Sequence, residues 1–183
     1  LGFSNSTGAF LAPLVQGGSV SMLDGTPRST EQLTSWLENE EITVFRTTPS
    51  TFRSVARARA DRPFPAFRLV VLGAEASYGR DMELFRRLTG PGTTLRLSWG
   101  STEAGGVTQR LLTRDDEVEP GILHSGWPTH GTALTTLDED GRATDAGVPG
   151  RLAITSRRLA LGYWRRPDLD AESFRVDPRD PSL

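Results

Sequence analysis

Residues 67–73 read Phe-Arg-Leu-Val-Val-Leu-Gly, FRLVVLG, and run on into Ala74-Glu75. A near-continuous apolar run of this length, closed by glycine, suits a strand covered on both faces rather than one alternating between core and solvent. Strands of that kind belong to parallel sheets joined by helical crossovers. The flanks agree. ITVFRTT (42–48) is a β-branched strand, and Pro49 after it suits the first turn of a helix with Phe52, Val55 and Ala56 on its apolar side. Before that, Ser29 or Thr30 caps a helix whose Leu33, Trp36 and Leu37 share one face. SVSML (19–23) reads as another strand, and residues 6–15 read as a buried helix stopped by Gly17-Gly18. On the other side, residues 81–88 are helical and TLRLSW (94–99) is the next strand.

Past Gly105 the texture changes. The short alternating runs GVTQRLLT, TALTTLD and GRLAIT are separated by turn residues such as Asp140-Gly141 and Pro149-Gly150. The expected fold is α/β: a parallel βαβ sheet flanked by helices over residues 1–104, then a small antiparallel sheet or distorted barrel over 105–183. Residues 168–174 are expected to form a short terminal helix.

The chain has 183 residues, a net charge of -2, 36% hydrophobic and 24% charged residues, and no cysteine. Disulfides and thiolate chemistry are excluded, and nothing in the charge favours nucleic acid or membrane. No apolar run is long enough to span a bilayer and no signal peptide is visible, so a cytoplasmic protein is expected. His124 and His130 lie outside any metal-ligand spacing. All 21 basic residues are arginine. Any step that needs a lysine must take it from outside this sequence.

In a parallel sheet, ligands bind beyond the carboxyl ends of the strands. Two loops lie there: Gly73-Ala74-Glu75, and Trp99-Gly100-Ser101-Thr102-Glu103 after LRLS. Gly73 and Gly100 allow close backbone approach. Trp99 offers a flat face to an aromatic base. Ser101 and Thr102 can donate to phosphate oxygens, and Glu103 is a hard oxygen ligand of the kind that holds Mg²⁺ beside phosphates. The same residues also suit a core tryptophan, a helix cap and a solvated carboxylate. Neither a P-loop nor a dinucleotide fingerprint occurs.

Five stretches taken together resemble the adenylation domains of nonribosomal peptide synthetases and the wider adenylate-forming acyl- and aryl-acid ligases. FSNSTGAFLAPLVQGGSV resembles the helix opening the substrate-pocket half, and EEITVFRTTPSTF its next strand-Pro-helix unit. RLVVLGAEA resembles the GGE adenine loop and WGSTEAGG the YGPTE motif. VPGRLAITSRRLALGYWRRPDLDAESF resembles the long GELxIxGxxLARGYxxRP segment. The resemblance implies that Gly73, Ala74, Glu75, Trp99, Gly100, Ser101 and Thr102 hold ATP. It implies that Thr102 and Glu103 serve catalysis and that Glu103 ligates Mg²⁺. The implied chemistry is activation of a carboxylic acid to an acyl-adenylate, then transfer to a phosphopantetheine thiol on a carrier protein or coenzyme A. The implied phosphate loop lies before Leu1; the ribose-gripping aspartate and the adenylation lysine lie after Leu183. The sequence given is therefore expected to be inactive alone; the alternatives are a non-catalytic scaffold, a carrier-docking subdomain or a piece of a stand-alone coenzyme A ligase.

By the same resemblance the acid pocket is walled by Ser4, Asn5, Gly8, Val71, Gly73, Ser98, Gly106 and Val107. Ser4 stands where amino-acid-activating relatives carry the aspartate that pairs with the α-ammonium. An ammonium buried without that partner is poorly compensated, so an ordinary α-amino acid is disfavoured and a hydroxy, keto, aryl or fatty acid is expected, with a β-amino acid held by a differently placed anchor as the alternative. The wall residues are small and mostly neutral, which suggests a roomy pocket. Leu97 replaces an Asn common in the family. The pairs Arg157-Arg158 and Arg165-Arg166 suit either an acidic carrier protein or solvent.

Overall fold

The computed structural model describes residues 4–23, 25, 29–60 and 62–176. Helix α1 (Ser4–Val15) is followed by α2 (Thr30–Asn39), β1 (Val44–Thr47), α3 (Pro49–Arg59), β2 (Leu69–Leu72), α4 (Gly79–Leu88) and β3 (Thr94–Ser101). Then come β4 (Gly105–Leu112), β5 (Trp127–Pro128), β6 (Thr132–Leu137), β7 (Arg151–Ser156) and α5 (Pro167–Ser173). One sheet has the order β1-β2-β3-β4-β5, and β6 and β7 form a second sheet alone. Strands β1, β2 and β3 are parallel, with α3 and α4 as their crossovers; β4 returns antiparallel to β3. Among the described residues no helix is long and apolar enough to cross a membrane.

Local chemistry sets the helix starts. The Ser29 hydroxyl accepts from the Gln32 amide at 3.2 Å and so caps α2. Thr48 caps α3 in the same way, with Pro49 in the first helical turn.

The register sorts the two sheet faces. Phe45, Val70, Leu95 and Leu112 are direct neighbours across four strands, as are Leu72 and Leu97 one pleat further on. They pack with Leu37 of α2, Phe52, Val55 and Ala56 of α3, and Met82, Phe85 and Leu88 of α4 in one core. Side chains of this size stabilise the fold by about 1.5–3 kcal/mol each when fully buried. The other face carries Arg46, Val71, Arg96 and Leu111 in register. Helix α1 approaches that face: a Cβ built on its Gly8 would sit 3.5 Å from an Arg46 guanidinium nitrogen. Val70 and Val71 are 0% and 3% exposed, so β2 is covered on both faces, as its sequence requires.

A buried ion pair ties the crossovers together. Asp81, fully buried at the start of α4, takes Arg53 Nε at 2.7 Å and Nη2 at 2.8 Å. It also accepts from the Tyr78 amide at 2.8 Å, while Arg53 reaches the Ala76 carbonyl. The loop after β2 is therefore pinned to both helices.

Three expectations differ from the structure. Helix α1 forms, but Leu11, Leu14 and Val15 are exposed, because its apolar residues encircle the helix and no described element covers the outer side. Residues 19–23 make no ladder among the described residues: alternation supplies a strand-like pattern but not a partner edge. GVTQRLLT, expected in the separate antiparallel unit, is instead the fourth strand of the main sheet. The hairpin that carries it there follows from two glycines. A Cβ on Gly100 would collide with the Gly105 carbonyl oxygen, and Gly105 itself has φ +66°.

Candidate functional site

A cleft of about 650 Å³ opens at the carboxyl ends of β2 and β3. Ala74 and Glu75 line one side, Ser98 and Trp99 another, and Thr108 and His124 close it. Of the two loops singled out from sequence, the cleft takes Ala74 and Glu75 from the first and Trp99 from the second; Gly73 and residues 100–103 are not part of its lining. Trp99 is 38% exposed, which leaves part of its indole open to a ligand.

The turn after β2 is tightly specified. A Cβ on Gly73 would lie 3.0 Å from both the carbonyl oxygen and Oγ of Ser98, so only glycine fits comfortably. Ala74 follows with φ +67°, which swings the chain away from the sheet. Glu75 then turns back to the start of α3: its carboxylate accepts from the Ser50 amide at 3.0 Å and the Ser50 hydroxyl at 2.8 Å. These two bonds, hydroxyl first, hold its pKa below the ordinary carboxylate value. Glu75 thus fixes the loop, and the loop's main chain faces the cleft edge.

The hairpin at the end of β3 holds Ser101, Thr102 and Glu103. Ser101 Oγ accepts from the Ala104 amide at 3.2 Å, closing the turn, and Thr102 is exposed. No helix follows, so the turn is a β-hairpin and not a helix cap. Glu103 Oε1 accepts a 2.7 Å hydrogen bond from the Tyr163 hydroxyl, and its carbonyl accepts from the Ala160 amide at 2.6 Å. Tyr163 is held in turn by the Asp170 carboxylate on its amide, at 2.6 Å. The Tyr163 hydroxyl, then the Glu103 amide and Ser101, keep Glu103 below its ordinary pKa and so ionised near neutrality.

The remaining sequence candidates lie elsewhere. Val71 is buried on the sheet face that Gly8 approaches, and Gly73 and Ser98 are in contact at its upper end. Gly106 pairs with Gly100 across the hairpin, and Val107 is fully buried. The backbone of Ser4 and Asn5 belongs to α1, but their side chains lie outside the described residues. Among the described residues no group of three His, Asp, Glu or Cys side chains could hold a metal by itself. A lone ionised carboxylate fits an ion that takes its other ligands from phosphate and water, as Mg²⁺ does.

Several residues at the site carry no signal of their own in the sequence. Thr108 comes from β4. His124 comes from a loop that reaches back to the Ser77 carbonyl through the Leu123 amide at 2.8 Å. Tyr163 stands in the GYWRRP stretch, which was informative as a motif but gave no role to this hydroxyl.

Comparison with known proteins identifies the family. A family model described as AMP-binding enzyme matches residues 1–164. Surfactin synthase subunit 2 of Bacillus subtilis is 30% identical over 176 residues, covering 92% of this chain and 5% of that protein. Syringomycin synthase SyrB1 of Pseudomonas syringae is 32% identical over 179 residues, covering 95% of this chain and 29% of the relative. The chain thus spans less than a third of the length of these relatives. The crystal structure of the nonribosomal peptide synthetase FmoA3 (S1046A) in its AMPPNP-bound form superposes with a TM-score of 0.86 over 98% of this chain and 20% of the other, at 22% identity. The loop pair, the sheet that presents it and the match along residues 1–164 converge: the chain belongs to the AMP-binding enzymes, the adenylate-forming family that includes the adenylation domains of nonribosomal peptide synthetases.

Proposed function

We propose that this chain forms the adenine- and acid-binding part of a ligase that activates a carboxylic acid with Mg·ATP. The observation that carries the reading is the cleft where Ala74 and Glu75 meet Ser98 and Trp99. In this reading the indole of Trp99 stacks on adenine and the main chain of Gly73, Ala74 and Glu75 lines the edge of the base. Gly100 and Ser101 let the chain follow the nucleotide, and the exposed Thr102 hydroxyl donates to a phosphate oxygen. Glu103 would ligate Mg²⁺, which when bound neutralises phosphate charge. The acid lies between α1 and the sheet, against Gly8, Val71, Gly73 and Ser98, with Ser4, Asn5, Gly106 and Val107 as further wall positions.

The reaction joins a carboxylate oxygen to the α-phosphorus and breaks the bond from that phosphorus to the oxygen of departing pyrophosphate. A phosphopantetheine thiol, on a carrier protein or coenzyme A, then displaces AMP from the acyl carbon. Thr102 and Glu103 supply orientation and charge rather than covalent chemistry. Those two groups make up only part of a triphosphate cradle, and the chain has no lysine to share the charge. The isolated chain is therefore proposed to bind nucleotide without turning it over.

Calorimetric titration of Mg·ATP tests the binding half. Trp99→Ala is expected to weaken binding roughly tenfold, in keeping with about 1–3 kcal/mol for a base on an aromatic ring. Equal affinity of variant and parent would refute the stacking role. Carboxylate-dependent ATP–pyrophosphate exchange by the isolated chain would refute the inactivity.

A further inference from the structure

The sheet face that Gly8 approaches carries two guanidinium groups. Arg46 of β1 and Arg96 of β3 are each directly opposite Val71 of β2. Their Cα atoms are two strand spacings apart, about 10 Å, well within reach of a common point for two arginine side chains. Strand alternation puts Gly73 next above Val71, and Ser98 next above Arg96, on the same face. The pair therefore occupies the floor of the space assigned above to the acid.

Neither guanidinium makes a hydrogen bond or ion pair to a carboxylate among the described residues, and Arg96 Nε is buried with no partner. Arg110 Nη1 on β4 is likewise buried without a partner, whereas two other partly buried arginines are paired. Arg53 is paired with Asp81, and Arg59 with Glu38. Burial, and next the nearby charge of Arg96, push the Arg46 pKa down. Two like charges set side by side with their hydrogen-bonding capacity unspent are costly in the free protein and favourable around an anion. A carboxylate between two arginine forks gains charge-assisted, potentially bidentate bonds.

We infer that Arg46 and Arg96 anchor an oxyanion at the floor of the acid pocket, and that the acid taken by this protein carries a second carboxylate at its far end. The inference rests on the proposed placement of the acid on this face. It agrees with Ser4 at the ammonium-anchor position, since a cationic floor and a missing anchor both disfavour an amine.

The test is calorimetry on the chain with dicarboxylates from succinate to pimelate, each against the monocarboxylate of equal length. A phosphono-carboxylate serves as a further arm, and Mg·ATP is titrated separately. At least one dicarboxylate is expected to bind roughly tenfold or more tightly than its partner, the scale of one bond to a charged group. Arg46→Gln and Arg96→Gln should each remove that preference, leaving Mg·ATP binding unchanged. No preference for a dicarboxylate, or a preference that survives both substitutions, overturns the inference. A phosphono-carboxylate that binds more tightly than every dicarboxylate overturns the assignment of the second group. If a variant fails to fold, discrimination by the parent chain decides. Dicarboxylate binding without Mg·ATP binding would keep the anion site and remove the ligase reading; the reverse would do the opposite.

Discussion

Glu103 shows how one side chain can be poised by a residue far away in sequence. The Tyr163 hydroxyl holds one carboxylate oxygen at 2.7 Å, and in the proposed reading the other oxygen takes the cation. Tyr163→Phe should weaken Mg²⁺-dependent ATP binding several-fold while leaving metal-free binding of AMP alone; equal loss of both would mean a general disturbance of the cleft. The pH dependence has a definite sign. The Glu103 pKa is depressed in the folded chain, so its tether to Tyr163 is fully present above the ordinary glutamate value and is lost as pH falls through the lower, folded value. Protection of the Ala160 amide against hydrogen exchange should fall in that acidic window and stay flat from there to neutrality. As candidates, Trp99, Glu75 and Glu103 were conspicuous because they are aromatic and carboxylate side chains at strand ends. Tyr163 was not, since a contact across 60 positions leaves no trace in local spacing.

At the level of elements, the strands and helices on the core side were readable because each carries its own periodicity and its own cap. Ser29, Thr48 and Pro49 mark helix starts in the sequence and occupy those places in the structure. What could not be read was partnership. Residues 19–23 alternate without acquiring a partner strand among the described residues, while β4 alternates in the same manner and pairs with β3. The difference lies in the hairpin between them. Gly100→Ala should splay that hairpin, lower the melting temperature and displace Trp99, which a fall in nucleotide affinity would report together with the melt. The Arg53–Asp81 pair acts at the same scale, since it joins α3, α4 and the loop after β2. Asp81→Ala leaves an arginine without its buried partner and is expected to cost about 3 kcal/mol or more, read as a lower urea midpoint.

Among the described residues the apolar core belongs to β1–β4 and α2–α4, with Phe64 and Phe67 joining from the connection before β2 and Leu123 from the loop before β5; β6, β7 and α5 contribute nothing to it. The two-stranded sheet should therefore open first, with β6–β7 amides exchanging at least about tenfold faster than those of β2 and β3. Equal protection in both sheets would show a single cooperative unit. The α/β class was legible from one apolar run, whereas the separation of the second sheet rests on which strands pair with which, and no local pattern of residues encodes that. The close fit of Gly73 against Ser98 also bears on attempts to redirect this scaffold to bulkier acids. Any side chain at position 73 must push back both the carbonyl and the hydroxyl of Ser98 by a few tenths of an ångström, so this position tolerates little added volume. Useful diversity must come from positions such as Gly8 and Val71, whose side-chain volume can change without prying two strands apart.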